Sequence, residues 1–288
     1  MSANNDKLRL NINRNSQILY GYNQAINDDE LGIFLSKITN SDFNPNLHLD
    51  IDLRSNRLTA AGIDYLMMRV DGLKVPSISI KLEDNQLGIA GAKKLAWKIR
   101  RLQLPIKDLN ISRNHIQSKG ALSIIKAIRS ICLLRLKLNE NSIDTQGAIE
   151  IAEELKSNEH LKDLSLTNNK IGDHGAKALA FMLRDNRTLQ SLNLWCNFLN
   201  SMSAAYFSEV LSKVGQAKLN HKDSNINETL LSLDLGGNNI ANPIAMKLID
   251  KALEMNKQST FAAYNRCFFS QIDYIPSTNW ESSNVMRP

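Results

Sequence analysis

The chain has 288 residues, 43 % of them hydrophobic and 22 % charged, with a formal charge of +6. That is enough apolar material for a large core, so a wholly disordered chain is excluded. No run approaches the roughly 18 apolar residues that cross a bilayer, and Cys132, Cys196 and Cys267 stand too far apart for a disulfide framework or a zinc site.

The opening residues, MSANNDKLRL, hold no apolar stretch of signal-peptide length, so a soluble protein of a reducing cytoplasm is expected. In KLRLNINRN (7–15), Leu10 and Ile12 stand five and three residues before Asn15, and Gly21 stands six after it. The same arrangement returns at Asn56, Asn85, Asn114, Asn141, Asn169, Asn197 and Asn238, at intervals of 29, 29, 27, 28, 28 and 41. Residues 1–45 therefore read as a degenerate first repeat plus a cap. The 41 residues from Asn15 to Asn56 leave room for an extra segment over 31–38 that covers the open core edge.

Across residues 46–258 each unit carries Leu or Ile three and five residues before its asparagine, as in Leu166/Leu164 and Leu194/Leu192. A second rule follows in five units: Gly six residues after the asparagine, then apolar residues one, four and eight further on, as in Gly120-Ala121-Ile124-Ile128. Apolar positions three and then four apart make one stripe of a helix, and alternating leucines make one face of a strand. Each unit is thus a short strand and a return helix. Stacking them produces a parallel sheet on the inside of a horseshoe with helices outside. The small Gly and Ala are expected to let each helix start close to the sheet. The asparagine amide is expected to satisfy backbone groups in the turn that leaves each strand.

The late units depart from the rule, with Ser203 and Ile244 in the glycine position and a polar surplus over 215–228 that reads as a surface loop. A helix is expected near 244–255. Residues 259–288 then read as a C-terminal cap followed by a flexible tail.

The period with LxxLxLxxN, then xL and Gly, resembles the ribonuclease-inhibitor-like leucine-rich repeats. Its short form, many Asn, Lys, Ile and Ser residues and polar tail look most like the leucine-rich repeat type IV effectors of Legionella-like intracellular bacteria. That resemblance implies a non-enzymatic, monomeric α/β solenoid that binds a folded protein, either a host enzyme or a companion bacterial effector, and inhibits it. It also implies delivery into the host cytoplasm through a C-terminal secretion signal, which STNWESSNVMRP would contain. The alternative within the same repeat class is a GTPase activator working from the rim, for which an acidic tail is expected and is lacking here.

Strand side chains that alternate with the buried leucines point into the hollow, two, four and six residues before each asparagine. The candidate partner-binding residues follow: Asp52 and Arg54, Lys81 and Glu83, Asp108, Arg135 and Lys137, Asp163, Asn193 and Trp195, and Asp234, with Asp84, Arg113, Glu140 and Cys196 on the rim. No stability requirement selects these residues, so the face is free for recognition. Trp195 replaces the small polar Thr167 of the preceding unit, and an exposed indole is the side chain most enriched in binding hot spots. The other reading of Trp195 is internal packing on Thr167, Asn193 or Phe198. Cys196 reads as a filler, since no histidine is placed to activate it.

Charges of both signs are interleaved on this face, whereas phosphate binding needs one sign, so no nucleic acid is expected. The positive surplus lies on helices, as in KKLAWKIRR (93–101), which reads as a solvated outer face or, alternatively, as a contact for an acidic membrane. No P-loop, HExxH, GxSxG or GxGxxG occurs, and no cofactor is implied.

Overall fold

The computed structural model describes residues 7–102, 104–212 and 226–272, with side-chain burial described through residue 261. Nine strands lie in chain order in one open sheet: β1 (Arg9–Ile12), β2 (Gln17–Tyr20), β3 (Leu49–Asp52), β4 (Ile78–Lys81), β5 (Ile106–Asn110), β6 (Arg135–Lys137), β7 (Asp163–Ser165), β8 (Ser191–Asn193) and β9 (Ser232–Asp234). From β2 onward every pair is parallel, and register joins equivalent leucines, Leu109 to Leu136 to Leu164 to Leu192. The return helices are α1 (Asp28–Ser36), α2 (Ala60–Val70), α3 (Gly88–Leu102), α4 (Gln117–Ile128), α5 (Thr145–Leu155), α6 (Gly172–Met182), α7 (Ser201–Leu211) and α8 (Pro243–Ile272). The chain is the expected leucine-rich repeat solenoid, unclosed at both ends.

The strand leucines and the helix stripes make one continuous core between sheet and helices, with Leu53, Leu82, Ile111, Leu138, Leu166 and Leu194 fully buried. Turns return at fixed intervals because each asparagine bonds the backbone of two units. Asn169 accepts from the N–H groups of Asn141 (3.0 Å) and Ile143 (2.9 Å) in the preceding unit and donates to Leu138 O (3.1 Å) there. It also donates to Leu166 O (2.8 Å) in its own unit. The residue before the asparagine takes a left-handed conformation in every unit from Ser55 (φ 55°) to Gly237 (φ 65°).

The N-terminus departs from expectation. β1 runs antiparallel to β2, so KLRLNINRN is one arm of a hairpin rather than a repeat, and Asn13 Oδ1 accepts from Asn15 N and Ser16 N in its turn. The first unit instead starts at β2, where Leu19 pairs with Ile51. Consequently 31–38 is no added cap: it lies mostly in α1, the return helix of that unit, and stacks on α2. The hairpin strand β1 covers the edge.

Other differences have equally local causes. The helical glycines serve helix stacking as well as the unit's own turn: a Cβ on Gly120 would lie 2.8 Å from Ile116 Cβ and 2.9 Å from Ala92 Cβ of the preceding helix, and one on Gly175 2.7 Å from Ile171 Cγ2 and 2.9 Å from Ala148 Cβ. A second asparagine series, Asn158, Asn186 and Asn227, is buried where helices turn back toward strands, and Asn256, within α8, is buried in line with it. Asn186 donates to Leu155 O (2.7 Å) and Asn158 O (3.1 Å) of the unit before, and Asn227 donates to Leu183 O (2.8 Å) and Asn186 O (3.0 Å). Asn227 is therefore interior, although the sequence places it in a surface loop. Most of that loop and the tail beyond 272 lie outside the described residues. α8 runs well past 255, through the boundary drawn at 258/259.

Asn169→Ala strands several buried backbone groups at once and is expected to lower the unfolding free energy by about 2 kcal/mol or more. Urea unfolding checks it, and a loss below about 0.5 kcal/mol, the size of an ordinary surface substitution, would refute the bridging role.

Candidate functional site

Helices cover one face of the sheet, and the other carries the alternate strand residues around a depression of about 480 Å³. Register aligns Asp50, Ser79, Asp108, Arg135 and Asp163 in one row across five strands, and Asp52, Lys81, Asn110 and Lys137 in the next. Opposite charges thus become lateral neighbours. Arg135 holds Asp108 with two contacts (2.5 and 2.7 Å), and Lys81 pairs with Asp50 at 3.3 Å. Glu83 accepts from Asn110 at 2.9 Å, and on the rim Arg113 pairs with Glu140 at 2.7 Å. The hydrogen bonds that Asp108 and Glu140 accept raise the Arg135 and Arg113 guanidinium pKa values.

Of the predicted residues, Arg54, Lys81, Glu83, Asp108, Arg135 and Lys137 line this depression together. Asp52 belongs to the same face but is only 4 % exposed, covered by Arg54, whose guanidinium grips it in a bidentate pair (2.9 and 2.7 Å) and stacks on Tyr22 at 5.0 Å. It is a support for Arg54 and not a contact surface. Asp163 lies beside Arg135 in β7. Asp84, Arg113, Glu140 and Cys196 occupy the left-handed rim position.

Asn193, Trp195 and Asp234 form a separate group at the C-terminal end. Asn193 donates to Asp234 (3.0 Å) and accepts from Trp195 N (2.9 Å), while Asp234 Oδ1 accepts from Gly236 N (2.9 Å). The Trp195 ring lies flat against the next turn, where a Cβ on Gly236 or Gly237 would come within 2.8 Å of it. The GG of DLGGNN thus makes room for the indole. Trp195 keeps 43 % of its surface exposed, and the neighbouring Thr167 hydroxyl donates to Asn193 (2.9 Å).

Three features escape a reading of the repeat. Phe198, treated there as a packing partner, is 77 % exposed with φ at 59°, in a turn position that is Arg57, Gln86, His115, Ser142 and Lys170 in earlier units. Its departure from that polar column was the available signal. His48 bridges Ser77 (2.7 Å) and Ser79 (2.8 Å), and Ser79 donates to Asp108 (3.0 Å). Ser79 Oγ thus links His48 to Asp108 in one hydrogen-bonded row. Cys132 Sγ lies 3.9 Å from His160 Nε2, an exposed contact between equivalent positions of neighbouring units. No group of three or more His, Cys, Asp or Glu among the described residues is arranged to hold a metal ion, and no described helix is long and apolar enough to cross a membrane.

A leucine-rich repeat family model matches the chain over residues 105–124, 157–180 and 227–248. No curated protein matches. Among solved structures, the tropomodulin C-terminal domain of Caenorhabditis elegans is similar at 15 % identity and a TM-score of 0.47, covering 60 % of this chain and 97 % of that one. Leiomodin-1 actin-binding site 2 is similar at 19 % identity and a TM-score of 0.38, covering 53 % and 96 %. An internalin of Listeria monocytogenes covers 81 % and 84 % at 11 % identity and a TM-score of 0.26.

Burial alone would raise the Asp52 carboxyl, but the Arg54 hydrogen bonds and charge outweigh it and hold its pKa below the ordinary carboxylate value. The unfolded chain therefore takes up this proton first, so Asp52 contributes stability above about pH 4 that is lost as pH falls through its depressed folded value. Asp52→Asn is expected to lower stability at neutral pH and to flatten its decline on acidification, measured by urea unfolding across pH. Parallel acid limbs for variant and parent would contradict the assignment.

Proposed function

We propose that the chain is a non-enzymatic protein-binding module that holds one folded partner against the concave sheet and its C-terminal rim. The observation that carries this reading is the exposure of Trp195 and Phe198 within one turn, on a rim whose other units are polar. A bulky side chain held at positive φ with most of its surface in water is costly twice over, and nothing in the fold requires it. The exposure cost is recovered when a partner covers the rings.

The charged depression supplies a different part of recognition. Arg135, Lys81 and Arg54 are already paired within the face, so a partner gains little by simply meeting their charge. Their fixed alternation instead sets register and excludes partners of the wrong pattern. Lys137 has no hydrogen-bond or ion-pair partner among the described residues and is the cation open to a partner acid.

The finer reading, a bacterial effector that enters a host cell and blocks a host enzyme or companion effector, is supported by the resemblance of repeat and composition. An open face that can cover a protein surface, with aromatic anchors at one end, suits the plugging of an active site.

Affinity capture with mass spectrometry identifies the partner, and calorimetry tests the anchors. Trp195→Ala and Phe198→Ala are each expected to weaken binding by about 2 kcal/mol or more, whereas Lys137→Ala should cost about 1 kcal/mol or less. Affinity unchanged by both aromatic substitutions would reject this face as the binding surface.

A further inference from the structure

The opposite side of the solenoid carries a second surface that partner binding in the hollow does not use. Helices α3 and α4 contain seven Lys or Arg, five in α3 and two in α4, and no Asp or Glu. Among the described residues, acids reach them only from the flanking helices: Asp64 of α2 is shared by Lys94 and Lys98, and Glu154 of α5 by Lys126 and by Arg129, which follows α4. Lys93 and Arg100 are exposed and have no ion-pair partner among the described residues. Arg101 and Lys98 lie over the Trp97 ring at 5.3 and 5.4 Å.

Exposed apolar side chains run beside these cations. Ile33 of α1 and Tyr65 of α2 hold equivalent repeat positions, as do Met68 of α2 and Trp97 of α3, so together they cross three neighbouring helices. The Tyr65 ring lies against Gly32, which ties the first two helices of the band together. Met68 is 68 % exposed and Trp97 49 %. The exposed acids at the ends of these helices, Asp29 and Asp71, flank the band.

Cations alone would suit any polyanion, but a nucleic acid backbone offers nothing to Met68 and Ile33. A bilayer interface takes all three components: aliphatic tips enter the acyl boundary, indole and phenol rings sit at headgroup depth, and Lys and Arg meet anionic headgroups. We infer that the convex face of α1 to α3 is a peripheral docking surface for an anionic lipid bilayer. Docking this way leaves the concave face turned outward and open.

The test is co-sedimentation of the full chain with vesicles containing about 30 % phosphatidylserine, against vesicles of phosphatidylcholine alone. Binding is expected to the anionic vesicles only, and to fall as salt rises. Met68→Ser with Trp97→Ala should weaken it about tenfold, and Arg100→Glu with Arg101→Glu by more than about tenfold, with circular dichroism unchanged. Absence of binding to anionic vesicles overturns the proposal. So does vesicle binding that ignores both double variants, or a preference for duplex nucleic acid that survives loss of Met68 and Trp97.

Discussion

The structure depends on one hydrogen-bonding constraint: each repeat asparagine amide closes the turn of its own unit and, at the same time, satisfies backbone groups of the unit before it. Asn56 reaches Gly21 O and Ile26 N, Asn141 reaches Ile111 O and Asn114 N, and Asn238 reaches Leu194 O and Asn197 N. A side chain that serves two units cannot be moved along the chain without stranding donors and acceptors in the core. The period is therefore held by hydrogen bonding as much as by leucine packing. The second series through Asn158, Asn186 and Asn227 does the same at the opposite turn, and Asn256 of α8 closes it by donating to Asn227 O, so the C-terminal units are clamped at both ends of their strands.

Because spine and turns are determined in this way, the outward strand positions and the convex helix surface are left without a structural task. Two different chemistries occupy them. In the hollow, charges sit in rows where register forces opposite signs together, giving a patterned but largely self-neutralised surface that ends at the exposed rings of Trp195 and Phe198. On the outside, α3 and α4 concentrate one sign of charge beside exposed apolar side chains. Nearest-neighbour stacking lets the two surfaces vary independently, since a unit senses only the units on either side of it.

The repeat was legible because its signals are local and recur: Leu164, Leu166 and Asn169 stand at fixed offsets, and seven copies average out exceptions. The hairpin was not, because Leu10, Ile12 and Asn15 satisfy the same offsets, and an antiparallel edge strand has the same alternation as a parallel one. The glycines were placed on the right helix face, but the sequence does not say that the preceding helix needs the space as well as the unit's own buried turn residue. The clamp at Asn227 was hidden by the polar run that precedes it.

The sequence by itself determined the period, the strand-and-helix unit, the leucine core, the structural duty of the asparagines and the set of outward positions, because each of these follows from alternation and helical spacing within a single unit. Only the tertiary structure decided which outward residues reach solvent. Asp52 vanished beneath Arg54, Asp108 and Arg135 locked together across two strands, Trp195 settled on the bare backbone of Gly236 and Gly237, and Phe198 was left standing in water. The Asp108–Arg135 and Trp195 outcomes depend on which side chains stacking brings alongside one another from neighbouring units, and the Asp52 outcome on how Arg54 of the same unit folds back over it.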